Sequence, residues 1–126
     1  MEKYLANFPM TLDEANHRLF ASCRKPARLV VFDTANAKPV ADLAIAGDID
    51  DLFYDAQHKR IYTSCGEGFI DVIGQTDRDH YETLSKIPTR GGARTSFFSA
   101  EVNQIYLAVS ERGDQSAEIR VFEVQK

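Results

Sequence analysis

Cysteine is scarce in this 126-residue chain: Cys23 and Cys65 are too few and too far apart for a disulfide framework or a zinc knuckle. Both are read as small apolar residues within strands, the usual place of a cysteine outside a disulfide. Long apolar runs are missing too. No segment approaches the roughly 18–20 apolar residues that span a bilayer, and the opening Met1–Met10 stretch has no run of signal-peptide length. The expectation is a soluble chain that stays in the cytoplasm and has no membrane partner. Fifteen Lys and Arg against nineteen Asp and Glu give a net charge of −4 without a long run of either sign, which argues against nucleic acid. No stretch keeps a 3.6-residue apolar period over ten or more residues, so helix content should be close to nil. Nucleophile and zinc motifs of the G-x-S-x-G, H-E-x-x-H and C-x-x-C kinds are absent as well. No catalytic residue, cofactor or metal site is therefore expected, and the chain is read as not an enzyme.

What the chain does have is a repeat, and a period just over forty residues indicates stacked supersecondary units. The eleven residues from Asp13 to Cys23 align without gaps on Asp55 to Cys65, an offset of 42, with four identities. A third copy, Ser99 to Val109, follows 44 residues later with the same order of turn, aliphatic and aromatic residues. A short apolar stretch precedes each turn: Phe8–Leu12, Leu52–Tyr54 and Ser96–Phe98. After it come Leu19-Phe20, Ile61-Tyr62 or Ile105-Tyr106, and then a third run, Leu29–Phe32, Phe69–Ile73 or Ile119–Phe122. A fourth, Val40–Ile45 or Tyr81–Ile87, completes the first two copies, and the third copy stops one strand short. Enrichment in β-branched and aromatic residues, with Asp, Gly, Asn and Pro at the borders, makes each run a strand. Four short strands per forty residues predict an all-β fold, a partial β-propeller of about three four-stranded antiparallel blades with the last incomplete. The blades span about 6–46, 47–89 and 92–125 of a single domain, 1–126. A β-sandwich is the alternative, and the gapless recurrence argues against it.

Arg18-Leu19-Phe20-Ala21 and Arg60-Ile61-Tyr62-Thr63, each after a turn Asp, together with the Val31–Val40 stretch around Asp33, resemble the YVTN repeat of YncE-like β-propellers. Gly74 stands where the pattern has Asp after the third strand of copy two, and Ser99 replaces the turn Asp of copy three. The resemblance runs from about Asn7 to Val124. It implies a ring of usually seven blades in chains of several hundred residues, often exported. Three blades leave an apolar face at each end and a free strand edge, surfaces that pair with another chain. The expected partner is thus a second copy, in a cyclic homo-oligomer. A six-bladed dimer is the first choice and a trimer the second, with Met1–Ala6 completing the partner's last blade.

In such a ring the turns between second and third strands, expected over Arg24–Ala27, Gly66–Gly68 and Glu111–Asp114, share one face with the links between blades, Gly47–Asp51 and Thr89–Arg94, around the central channel. That places Asp48, Asp50, Asp51, Glu67, Arg90 and Arg94 together. Their mixed charges suit a small polar or anionic ligand, with the arginines as forked donors, although solvated rim loops are commonly charged in any case. The aspartates lack the spacing of a calcium loop. His17, His58 and His80 fall at the opposite face, away from these carboxylates. The leading expectation is a non-catalytic binding module that closes a ring by self-association. The alternatives are a fragment of a metal- or cofactor-dependent propeller enzyme and a purely structural, excised or engineered piece.

Overall fold

The computed structural model describes residues 5–126 except Arg94, Arg112, Gln115 and Lys126, with side chains described from Pro9 onward. Eleven strands occur among these residues, and no helix. Blade 1 consists of β1 (Leu5–Asp13), β2 (Arg18–Lys25), β3 (Ala27–Asp33) and β4 (Pro39–Ala44). Blade 2 consists of β5 (Ile49–Asp55), β6 (Arg60–Cys65), β7 (Phe69–Asp77) and β8 (His80–Pro88). Blade 3 holds β9 (Ser96–Ser99), β10 (Gln104–Val109) and β11 (Glu118–Glu123). Each is an antiparallel meander in chain order, as short polar turns between adjacent runs dictate.

The turn between first and second strands is the same device three times. His17, Lys59 and Asn103 occupy it with φ of 57°, 53° and 53°, the left-handed conformation that reverses the chain before the arginine or glutamine opening the next strand. Asp13 and Asp55 accept the amides of Asn16 and His58 across it, which is why a turn Asp recurs in the first two copies.

Strand alternation divides every blade into two chemically different faces. Phe20, Tyr62 and Tyr106 hold equivalent registers, opposite Val31, Val72 and Val121. Phe20 lies 5.3 Å from the ring of Tyr54 in blade 2, and Tyr62 lies 5.2 Å from Phe98 in blade 3. This aromatic face looks toward the following blade. Leu19, Ile61 and Ile105 sit one residue earlier and look back. Ile61 is buried with Phe20 and Val31, and Ile105 with Tyr62 and Ile70. The alternation thus explains strands that are apolar on both sides.

Three expectations are corrected. Leu5 and Ala6 belong to β1, with Leu5 opposite Lys25 in blade 1's own sheet, so they are not free to complete another blade; Met1–Tyr4 lie outside the described residues. The turn expected over Arg24–Ala27 contracts to Pro26, because β2 runs to Lys25 and β3 starts at Ala27. Asp50 and Asp51 belong to β5 instead of a loop, where a bulge between Ile49 and Asp51 re-aims both side chains.

Candidate functional site

The links between blades and the turns between second and third strands gather at one end of the sheets, stitched by main-chain hydrogen bonds. Gly66 N donates to Asp48 O at 2.7 Å, Gly92 N to Gly66 O at 2.6 Å and Thr89 N to Gly68 O at 2.7 Å. The blade 1–2 link, the β6–β7 turn and the blade 2–3 link therefore form one layer. A Cβ at Gly66 would overlap Asp48 Oδ2, so a larger residue there would have to push that carboxylate aside. A cleft of about 380 Å³ opens over this layer, with Asp48, Arg90, Ser110 and Glu111 among its lining.

Inside that layer most of the expected ligand-binding groups already have protein partners. Asp48, with φ of 60°, lies 3.4 Å from Arg24 Nη2, and Arg24 also donates to Ile49 O at 2.9 Å. Glu67 Oε2 accepts the Gly47 amide at 2.9 Å. Asp51 Oδ2 accepts the Ser96 amide at 2.7 Å, so this carboxylate ties the first strand of blade 2 to that of blade 3. Burial raises its carboxyl pKa and the charge of Asp50 adds to the rise, while the Ser96 amide opposes it. Thr95 Oγ1 donates to Asp50 Oδ2 at 3.4 Å. Arg90 places Nη2 2.9 Å from Glu118 Oε1 and Nη1 3.4 Å from the Ser110 and Ser116 carbonyls. An anion would have to displace Glu118 to reach it. Arg94 lies outside the described residues. Asp48 and Arg90 thus come together at the cleft, whereas Asp50, Asp51 and Glu67 act as joints between blades.

Sequence reasoning missed the buried polar groups that join the blades. Asp71 Oδ2 accepts the Ala46 amide of the blade 1–2 link at 2.7 Å, and Lys86 Nζ lies 3.3 Å from Oδ1. Gln75 Nε2 donates to Asp13 Oδ2 at 2.9 Å across the same boundary, while its Oε1 accepts from Tyr54 at 2.6 Å. Burial alone would raise the Asp13 carboxyl pKa, but the hydrogen bonds from Gln75 and Asn16 prevail and hold it below 3.8. Arg18, buried at the start of β2, reaches Asp79 Oδ1 of blade 2 at 2.7 Å, and its equivalent Arg60 reaches the Gln125 carbonyl of blade 3. The recurrence of Arg18 and Arg60 in the repeat was the available signal for this second set of joints.

Cys65 is packed with Phe20 and Ile61 between blades 1 and 2, and burial pushes its thiol up to about 12. Cys23 lies within blade 1 beside Ala21 and Phe32. His58 and His80 pair with Asp55 and Asp77, each at 2.8 Å, and both lie at the opposite end of the sheets from the cleft. Among the described residues no three His, Cys, Asp or Glu side chains are placed to hold a metal ion.

Solved structures of the same shape include a chain of the mitotic checkpoint complex, with TM-score 0.72 and 12% identity, covering 87% of this chain and 34% of that one. A β-propeller domain from Myceliophteria thermophila matches at TM-score 0.66 and 18% identity, over 93% of this chain and 43% of that one. A Bacteroides uniformis protein named as a 6-phosphogluconolactonase matches at 0.73 and 17%, over 94% and 37%. These likenesses speak to the fold alone. YncE of Salmonella typhimurium, itself uncharacterised, is 25% identical over 109 residues, 86% of this chain. The fold is a run of β-propeller blades, and its sequence is similar to that of YncE. The chain spans 30% of the length of that YncE, and no protein-family model matches it. The three sheets of four, four and three strands are consecutive blades, with the cleft at the blade 2–3 link.

Proposed function

We propose that this YncE-like chain is a non-catalytic binding module whose blades associate head to tail with those of a second copy. The observation that carries the reading is the sidedness of the blades. Two aromatic faces are covered by the following blade, and the third, on blade 3, is open: Phe97 is 63% exposed, Ile119 64% and Val121 51%. The backward face of blade 1 is open in turn, with Met10 64% and Leu12 46% exposed beside a hollow of about 400 Å³ floored by Leu19, Ala21 and Phe32. Leu12 holds the register of Tyr54 and Phe98. A second copy seated there brings Tyr106 against Leu12, as Phe20 meets Tyr54 and Tyr62 meets Phe98. Burying such faces is the usual reason for apolar patches of this kind. Two copies make six blades, within the range in which propellers close, and a trimer is the second choice. The cleft beside Asp48 and Arg90 then opens on the shared channel, where a small polar ligand would bind.

Light scattering after size exclusion, over a range of concentrations, tests this. The expected mass is twice the chain's 14.2 kDa, and Phe97→Asp, on an exposed face, is expected to return a folded single chain. A folded monomer of the unaltered protein at every concentration would sink the reading.

A further inference from the structure

The end of the sheets opposite the cleft holds a second polar hollow, at the boundary between the two four-stranded blades. It measures about 280 Å³ and is lined by Asn16 of blade 1 and by Lys59, Gln75, Thr76, Asp77 and Arg78 of blade 2. Its floor is fixed. Gln75 is buried with its amide fully engaged: Nε2 donates to Asp13 Oδ2 at 2.9 Å and to the Tyr81 hydroxyl at 3.1 Å, and Oε1 accepts from Tyr54 at 2.6 Å. Asn16 Nδ2 donates to the same Asp13 oxygen at 2.8 Å and keeps its second N–H. Asp77 is occupied as well, since Oδ1 accepts the Asp79 amide at 2.8 Å and His80 Nδ1 lies 2.8 Å from both carboxylate oxygens. The two cations differ. Among the described residues neither the Lys59 ammonium nor the Arg78 guanidinium has a hydrogen bond or ion pair. Only their carbonyls are used, Lys59 O by the Gln75 amide and Arg78 O by Arg18 and Tyr81.

The fold does not account for these cations. One main-chain bond recurs at this end of all three blades: Thr34 N to His17 O at 3.0 Å, Gln75 N to Lys59 O at 2.9 Å and Val124 N to Asn103 O at 2.9 Å. It needs no side chain, and its left-handed acceptor position suits the asparagine of blade 3 better than a lysine. Lysine and a buried glutamine meet there in blade 2 alone. Arg78 likewise holds Arg18 and Tyr81 through a carbonyl that any residue would supply. What the two side chains add is charge. With Asp77 engaged by His80, the free groups of the lining are two cations, the Thr76 hydroxyl and one Asn16 N–H.

We propose that this hollow binds the phosphate group of a small phosphate monoester. Its two negative charges match the two free cations, the planar fork of Arg78 suits a pair of phosphate oxygens, and the Lys59 ammonium suits a third. Asn16 and Thr76 complete the donors. The hollow is larger than a phosphate group needs, which leaves room for the organic part. Because Asn16 belongs to blade 1 and the other lining residues to blade 2, the bound ester would bridge the boundary. The site is apart from the cleft and shares no residue with the open faces, so it does not rest on the function proposed above.

The test is titration of glycerol phosphate into the labelled full chain at constant ionic strength, followed by amide chemical shifts, with inorganic phosphate and sodium chloride for comparison. Glycerol phosphate is expected to saturate, with shifts centred on Asn16, Lys59, Thr76 and Arg78. Inorganic phosphate should move the same amides with lower affinity. Lys59→Gly, which suits the turn, and Arg78→Gln, which keeps the carbonyl, are each expected to weaken binding about tenfold, the worth of one charge-assisted hydrogen bond. Lys25→Gln, at the other end of the sheets, should leave binding unchanged. Shifts that fail to saturate or that chloride reproduces would overturn the proposal. So would equal affinity for inorganic phosphate, unchanged affinity in Lys59→Gly or Arg78→Gln, an equal loss in Lys25→Gln, or shifts centred on Asp48 and Arg90.

Discussion

The boundary between blades 1 and 2 and that between blades 2 and 3 are built from equivalent positions, yet they are not equally made. The first buries ten residues in one cluster, including Phe20, Leu29, Leu52, Ile61 and Ile73. It adds the chain Asp13–Gln75–Tyr54 and the Arg18–Asp79 pair. The second has Tyr62, Ile70 and Ile105 buried together, flanked by half-buried aromatics, with the Asp51–Ser96 contact at its inner end. Among the described residues β11 is flanked by β10 alone, and Leu84 beside it is half exposed. A repeat therefore fixes which residues meet, while the completeness of the sheets on either side fixes how well they are shielded from water.

Paired substitutions at equivalent positions sharpen this contrast. Ile61→Ala leaves a cavity in the fully enclosed cluster and is expected to cost near the top of about 2–5 kcal/mol in urea denaturation, with Ile105→Ala near the bottom. Equal losses would mean that the two boundaries are equally tight. Next in size is Arg18→Ala, expected to lose about 1.5–3 kcal/mol because its charged hydrogen bond starts from a buried side chain. Arg60→Ala should lose less, since its partner is a carbonyl on an exposed residue.

Acid should attack the first boundary through Asp13. Its folded pKa lies below the ordinary 3.8, so its contribution is complete above that value and drains away as the pH falls through the folded pKa. Asp13→Asn is expected to lose stability at neutral pH and to flatten the acid limb of the melting-temperature profile. An unchanged limb would assign acid sensitivity to other carboxylates. The smallest effect is expected in the turns. Lys59→Gly should gain about 0.5 kcal/mol, because glycine adopts the left-handed conformation without a Cβ penalty, while Asn103→Gly changes little, asparagine already tolerating it.

Most of the strand plan was legible because identical registers recur: a turn Asp, an aliphatic and an aromatic residue mark the first two strands of a blade wherever they appear. The candidate site was less so. That Asp48 and Arg90 share a cleft followed from placing both on interblade links. The destination of Arg90 did not, since Glu118 lies 28 residues away on a strand whose entry loop carries no pattern. Asp50 and Asp51 looked like loop residues because a bulge, which no composition signals, keeps β5 going through them. Gln75 and Asp71 were invisible as joints because polar residues inside a strand read as solvent-facing until the neighbouring blade is in place.

The two faces of each blade give the stack a direction, like links that hook only one way. A directed contact repeated between identical units has two geometric fates: it closes when the accumulated rotation returns to the start, and otherwise it grows into a helical fibre. Under the proposed head-to-tail association, the angle between adjacent blades would therefore set solubility as well as shape. A substitution that opens that angle by a few degrees, far from any ligand, would turn a bounded particle into a polymer, and light scattered at rest would register it before any change in the strands themselves.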